Sequence, residues 1–477
     1  MPAAEHEPET ASPAGPSQST GENPGSSLPR RILNGRSRRL FLQAGLPWTA
    51  ALLVGLVSVL YARWSEDVSD AFRSLIAGRA WLAFIVTPAL TVLSLFFTRR
   101  WFTGSEGSGI PQVIAALHAP RPEDEHTLMR RLFGVRVIVG KIGISLLGLL
   151  GGLTIGREGP TVHIGAAIMA EIRHFYPHRS AQLERRLLLA GAAAGLSAAF
   201  NTPLAGIIFA IEELARDFES RTNGVMITAV VFSGLTSLAL AGNYLYFGQL
   251  NVPGNLGGAF VLPVVLSAVL CGLFGAAFNL ALLRWRSWMP GWLRALRANR
   301  PLVYAAIIGL VVAALGVGSA GETWGSGYNE ARRLLTGTAP LSEGYAMTKW
   351  GAMVATYMAG IPGGLFSPSL SIGAGLAQWV HLVFAWAPMA AVIALCMTGY
   401  LAAVTQSPIT SFVIVMEMTN GTGMVIPMMA TALVASRISA FFTPPLYEAL
   451  AQNNYFQVAG LPAGGFLQKK PVPPPGA

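Results

Sequence analysis

Glycine or proline interrupts nearly every apolar stretch of this chain, and that constrains the fold more than any other feature. The 477 residues include 53 glycines and 31 prolines, well above the ordinary share of about 12% for the two together. They lie inside apolar runs and follow no G-X-Y period, which excludes collagen and flexible low-complexity chains. Only 12% of the residues are charged and 52% are hydrophobic, where a soluble domain carries about 25% charge. A soluble enzyme, a disordered chain and a disulfide scaffold are excluded on these grounds. The remaining class is an all-α polytopic membrane protein.

Apolar segments run at roughly 47–63, 80–98, 133–155, 157–173, 185–200, 203–215, 223–242, 260–284, 302–318, 345–359, 365–386, 388–404, 408–419 and 423–442. Several reach the ~20 residues that span a bilayer. Others, such as 203–215 and 408–419, are too short and begin at a proline. Breaks of this kind are tolerated in a membrane only where protein or an aqueous cavity satisfies the freed backbone. Several together predict a transporter core of broken helices.

The net charge of +10 would suggest nucleic acid in a soluble protein, but the basic residues flank apolar segments instead. Arg30, Arg31, Arg36, Arg38 and Arg39 precede the first, Arg99 and Arg100 follow the second, and Lys469 and Lys470 come after the last. This positive-inside pattern predicts cytoplasmic termini and no nucleic-acid partner. Residues 1–28 are predicted to be a disordered tail, 29–450 the membrane domain and 451–477 a short tail with no room for a soluble regulatory domain. Cys271 and Cys396 lie inside apolar segments and are expected to be buried small hydrophobes.

Two correspondences point to a duplication. Gly156-Arg-Glu-Gly-Pro-Thr-Val-His-Ile-Gly165-Ala and Gly364-Leu-Phe-Ser-Pro-Ser-Leu-Ser-Ile-Gly373-Ala both read G-x-x-x-P-x-x-x-I-G-A. Further on, Asn201-Thr-Pro-Leu with Glu212 matches Gln406-Ser-Pro-Ile with Glu417 at nearly the same offset. The halves fall at about 45–245 and 260–450, and a substrate site is expected where they meet. From these residues alone the repeats are either parallel or inverted.

Gly107-Ser-Gly-Ile-Pro111, Gly156–Pro160 and Gly360–Pro368 each open an apolar helix. Proline suits a first helical turn, and a helix N-terminus offers free N–H donors and a positive dipole end to an anion. Taken singly, each cluster reads better as a loop or a kink; three together, two of them related by the repeat, shift the balance toward anions converging on one pore. Glu158 is a carboxylate in an apolar region and so functional by default. Ionised, it mimics an anion; protonated, it loses that affinity, so one side chain can serve as gate and proton carrier. A salt bridge to Arg157 is disfavoured because adjacent helical residues do not face each other.

The three motifs in this order resemble the CLC family of chloride channels and chloride/proton antiporters. Gly325-Ser-Gly-Tyr328 resembles its second glycine-rich loop and Pro445-Leu-Tyr447 its terminal-helix tyrosine; the likeness covers about 45 to 450. It implies two inverted-topology repeats of broken, tilted helices per subunit, a homodimer with one pore per subunit, and a multi-pass protein of a bacterial inner membrane. Chloride and protons are the implied substrates, membrane lipid the surroundings, and no cofactor or metal is expected. Chloride-binding residues by resemblance are Ser108 and Tyr447 through their hydroxyls and Leu365 and Phe366 through backbone N–H, with an outer site on the backbone of Arg157, Glu158 and Gly159. A serine at 108 implies chloride preference over nitrate. Read alone, Ser108 is an N-cap and Tyr447 an interfacial belt residue.

Glu213 matches the inner glutamate that passes protons in antiporters, and Glu212 is expected to be structural. Lys141 is either an electrostatic aid or a structural partner, and His163 a satisfied helix histidine. Gln112 stands where many members have glutamate, and Ile114 replaces an acid of some bacterial antiporters. The reading that follows is a chloride/proton antiporter. Its rivals are a passive chloride channel and, remotely, an intramembrane hydrolase with Ser108 as nucleophile and His163 as base. A fluoride exporter is disfavoured by the serine in GSGIP.

Overall fold

The computed structural model describes residues 45–119, 128–176, 180–215, 220–242, 244–252 and 256–456. The predicted tail 1–28, the arginines before residue 45 and Lys469 and Lys470 lie outside them. The regular elements among the described residues are all helices, with isolated bridges in place of strands. The first half contributes α1 (Leu46–Ile76), α2 (Ala83–Arg100), α3 (Ile110–Leu117), α4 (Val135–Leu150), α5 (Glu158–Glu171), α6 (Ala181–Phe200), α7 (Pro203–Phe209) with a wider turn at Ala210–Ala215, and α8 (Ser220–Ala241). The second contributes α9 (Val261–Trp288), α10 (Gly291–Asn299), α11 (Pro301–Gly318), α12 (Tyr328–Thr336), α13 (Tyr345–Met358), α14 (Phe366–Val383), α15 (Met389–Thr405), α16 (Pro408–Thr419), α17 (Val425–Phe442) and α18 (Leu446–Ala451).

The two G-x-x-x-P-x-x-x-I-G-A motifs start equivalent helices, α5 at Glu158 and α14 at Phe366. In each, the last glycine lets the next helix approach. A Cβ at Gly165 would stand 2.2 Å from the Gly191 carbonyl of α6, and one at Gly373 2.5 Å from the Cys396 carbonyl of α15. Both following helices end on a left-handed residue, Asn201 and Gln406 (φ 57° and 60°), and the Asn201 amide donates to Tyr244 O at 3.1 Å. Proline then opens α7 and α16 in turn.

The halves are joined through these same equivalents. Gly156 donates to the Gly364 carbonyl at 2.9 Å and Gly364 returns the bond at 2.8 Å, an antiparallel pair of matched positions. Such mutual pairing of matched positions requires a local two-fold axis between the halves. Glu212 and Glu417 repeat the pattern. Glu212 accepts from the N–H groups of Ile409 and Thr410 at 3.0 and 2.6 Å, and Glu417 from those of Leu204 and Ala205 at 3.1 and 2.7 Å. Each acid caps the other half's short helix, so Glu212 is structural, as expected.

Among the described residues six helices are long and apolar enough to cross a membrane: Leu46–Ile76, Ala80–Arg100, Gly224–Ala241, Gly258–Trp288, Pro301–Gly318 and Thr422–Asn454. Less than half of each is covered by protein, so these form the outer layer. The shorter α5, α6, α14 and α15 are buried nearly throughout. An apolar helix therefore faces lipid outside or protein inside, and neither environment calls for charge. Cys271 and Cys396 are buried and free, with the Cys271 thiol 3.4 Å from the Cys396 carbonyl.

Candidate functional site

The three glycine-rich stretches meet. Gly107 donates to Ile361 O at 3.2 Å and accepts from Gly363 N–H at 3.1 Å, beside the Gly156–Gly364 pair. The starts of α3, α5 and α14 thus converge, and a Cβ at Gly159 would overlap the Ser108 hydroxyl and lie 3.2 Å from Gly364 Cα.

Glu158 sits at this junction, fully buried. Its carboxylate crosses to the other half and lies at the N-terminus of α14. Oε2 accepts from the Ser367 N–H at 3.3 Å, while Oε1 accepts from the Ser367 hydroxyl and, at 3.4 Å, from the Tyr246 hydroxyl. The carboxylate therefore holds the position that the positive end of α14 offers to an anion. Arg157 approaches it to 4.0 Å. This corrects the expectation that adjacency keeps the two apart: Arg157 precedes the first helical residue, so helical spacing does not govern the pair. The closer partner of Arg157 is Glu66 at 2.7 Å, with Ala62 O at 2.9 Å. Glu66, Arg157 and the Arg73–Glu330 pair (2.7 Å) line a polar cavity of about 230 Å³.

Tyr246 and Ser367 were not singled out from sequence. Ser367 lies within the second repeated motif, at the place that holds glycine in the first; a hydroxyl at that one difference was the available signal. Tyr246 comes from the link between the halves and carries no motif. Phe200, Phe247 and Tyr328 pack edge-on or tilted against its ring at 4.6–5.3 Å, and the Arg157 guanidinium lies 5.2 Å from it.

Ser108 and Tyr447 are buried, and neither hydroxyl has a partner at hydrogen-bond geometry among the described residues. Ser108 does not cap α3, whose preceding residue is Gly109. Tyr447 is wholly enclosed rather than interfacial, and Phe366 stacks on it at 6.1 Å with ring planes 10° apart. Leu365 and Phe366 begin α14, where first-turn N–H groups have no intrahelical acceptor. Two orphan hydroxyl donors beside such N–H groups are suited to an anion that must be bound weakly enough to leave.

Glu213 is buried on the Ala210–Ala215 turn, and its carboxylate accepts from the Ser407 hydroxyl of the other half. The Tyr447 phenol lies within the fields of both Glu213 and Glu158. Lys141 donates to Gly107 O at 3.0 Å and Glu106 O at 3.4 Å, pinning the loop that carries Ser108. Its counterpart, Lys349, equally buried, donates to Thr323 O and Gly325 O at 2.9 Å ahead of α12; the repeat offset could have found it. Gln112 donates to Glu106 O at 2.6 Å, and Ile114 is enclosed in the core. His163 bonds Leu132 O at 2.8 Å through Nε2, while its Nδ1 is unpartnered. No hydrogen bond joins Ser108 to His163, so the nucleophile–base pair of a hydrolase is not formed among the described residues.

Residues 90–440 match the family model described as voltage gated chloride channel. The chain is 32% identical over 436 residues to the H(+)/Cl(-) exchange transporter ClcA of Klebsiella pneumoniae (strain 342), covering 87% of this chain and 88% of that one. It is 31% identical over 440 residues to the transporter of the same name from Salmonella arizonae, covering 86% and 88%. Among solved structures it is similar to a slow cyanobacterial Cl-/H+ antiporter, with a TM-score of 0.72, 22% identity, and coverage of 86% of this chain and 97% of that chain. A CLC-type fluoride/proton antiporter gives 0.71 at 20% identity, covering 88% and 99%. At such identities the likeness is one of fold.

Proposed function

The chain belongs to the voltage-gated chloride channel family, and from that premise we propose that it exchanges chloride for protons across a membrane. The observation that carries this reading is the Glu158 carboxylate seated at the N-terminus of α14, where it accepts the Ser367 N–H. An ionised carboxylate there competes with chloride for the same donors. A protonated one has no net charge for the dipole to hold, and leaves. Each exchange of Glu158 for chloride thus moves a proton one way as chloride moves the other.

Ser108, Tyr447 and the N–H groups of Leu365 and Phe366 bind the central chloride, and the backbone of Arg157 and Gly159 an outer one. Glu213 relays protons between Glu158 and the cytoplasm. The paired identity with two H(+)/Cl(-) exchange transporters supports the antiporter reading. The working unit is a homodimer with one pore per subunit, embedded in the lipid of a bacterial inner membrane with cytoplasmic termini. Neither a cofactor nor a metal takes part.

Proteoliposomes separate the two carboxylates. Glu213→Val is expected to abolish proton movement while chloride still flows. Glu158→Gln is expected to abolish proton movement and also to make chloride flux independent of pH, whereas wild-type flux rises as the pH falls. Proton coupling that survives either substitution would overturn the assignment of that residue.

A further inference from the structure

A cavity of about 290 Å³ lies between the end of α2, the end of α9, α10 and the start of α11. Arg99, Arg286 and Arg297 line it together with Trp285, Tyr304 and Asn454. The indole of Trp285, itself buried, gathers two of the guanidiniums: Arg297 lies 4.8 Å and Arg286 5.5 Å from its ring. Burial first, then the neighbouring Arg286 and Arg99, push the Arg297 guanidinium below its ordinary range.

Three like charges held this close call for an anion between them, and no carboxylate among the described residues is paired with them. Arg286 reaches only the Asn454 side-chain carbonyl at 3.3 Å. Glu106, also on the wall, turns Oε2 to the Gly104 N–H at 2.7 Å. Tyr304 adds a buried hydroxyl with no partner. Guanidinium forks match the oxygens of a phosphate in pairs, and a cavity this size holds far more than a halide ion. Basic pockets between membrane helices at the headgroup level take phosphate headgroups. Exposed Trp288 ends α9 and exposed Trp292 lies in the first turn of α10, placed as aromatic residues are at that level.

We propose that this cavity is a binding site for a phosphate-bearing anion, seated on the guanidiniums of Arg99, Arg286 and Arg297 and the hydroxyl of Tyr304. Its wall includes Gly107, so an occupant rests against the loop that leads into Ser108. The phosphate has two possible sources, a lipid headgroup or a soluble compound.

The full chain in detergent distinguishes them by binding alone, independently of chloride–proton exchange. Inorganic pyrophosphate is titrated calorimetrically, and retained phosphatidylglycerol is counted by native mass spectrometry. The double variant Arg286→Gln/Arg297→Gln is compared with Arg284→Gln/Arg294→Gln, which removes equal charge outside the cavity. Tyr304→Phe serves as a milder variant should the double one fail to elute as a single species. Saturable pyrophosphate binding that weakens at least about tenfold in the cavity variant but not in the control supports the site with a soluble ligand. Phosphatidylglycerol retention that follows the same pattern supports it with a lipid headgroup. Binding of neither, or equal loss in both charge-matched variants, overturns the proposal.

Discussion

Two hydroxyls hold the Glu158 carboxylate at α14, and each can be removed without touching the acid. A hydrogen bond to a charged group contributes about 1.5–3 kcal/mol, and a tenfold rate change corresponds to about 1.4 kcal/mol. Ser367→Ala is therefore expected to release the carboxylate more readily and raise chloride efflux about tenfold, with coupling retained. Tyr246→Phe should act in the same direction but less, since its bond is the longer one at 3.4 Å. Efflux from liposomes reads both, and an unchanged or slower rate in Ser367→Ala would remove the hydroxyl from the closed gate. At this scale the sequence made Glu158 legible because an acid among apolar residues stands out. It left Tyr246 hidden, because its partners come from four other segments brought together only by the fold.

The elements owe their starts to repeated local chemistry and their ends to contacts across the halves. Proline after a left-handed residue opens α7 and α16, and both starts could be read directly. The exchange of caps by Glu212 and Glu417 could not, because it depends on which short helix faces which. Removing one is a test of structure rather than transport. Glu212→Ala is expected to lower stability by about 1–2 kcal/mol, the loss of a capping acceptor, with proton coupling intact. Thermal unfolding in detergent beside liposome proton flux checks both halves of that statement, and contrasts with Glu213→Val. Gly165→Ala is expected to cost about 1–3 kcal/mol as an overpacked crossing, because its Cβ would press on the Gly191 carbonyl. The helix α1 extends to Ile76, beyond the apolar stretch ending at 63. Its second part carries Glu66, Asp70 and Arg73, which line the cavity beside Arg157 instead of facing lipid.

Across the whole molecule, the low charge and the surplus of glycine and proline are compatible features. Broken helices turn backbone N–H groups toward an anion, so a protein with few internal cations can still select one. The duplication was legible from two short motifs, whereas the antiparallel Gly156–Gly364 pairing that joins its halves required the structure. A homodimer is expected to give a protein mass of two 50.4 kDa chains by light scattering after the detergent contribution is subtracted. Coupling between chloride and protons is the central claim, and one measurement addresses it most directly. In proteoliposomes with equal pH on both sides and a chloride gradient, chloride and pH are followed together. The expected result is that chloride running down its gradient drives protons the opposite way, building a pH difference that uncouplers collapse. Chloride that runs down with the pH flat would contradict the exchange and leave a passive chloride channel.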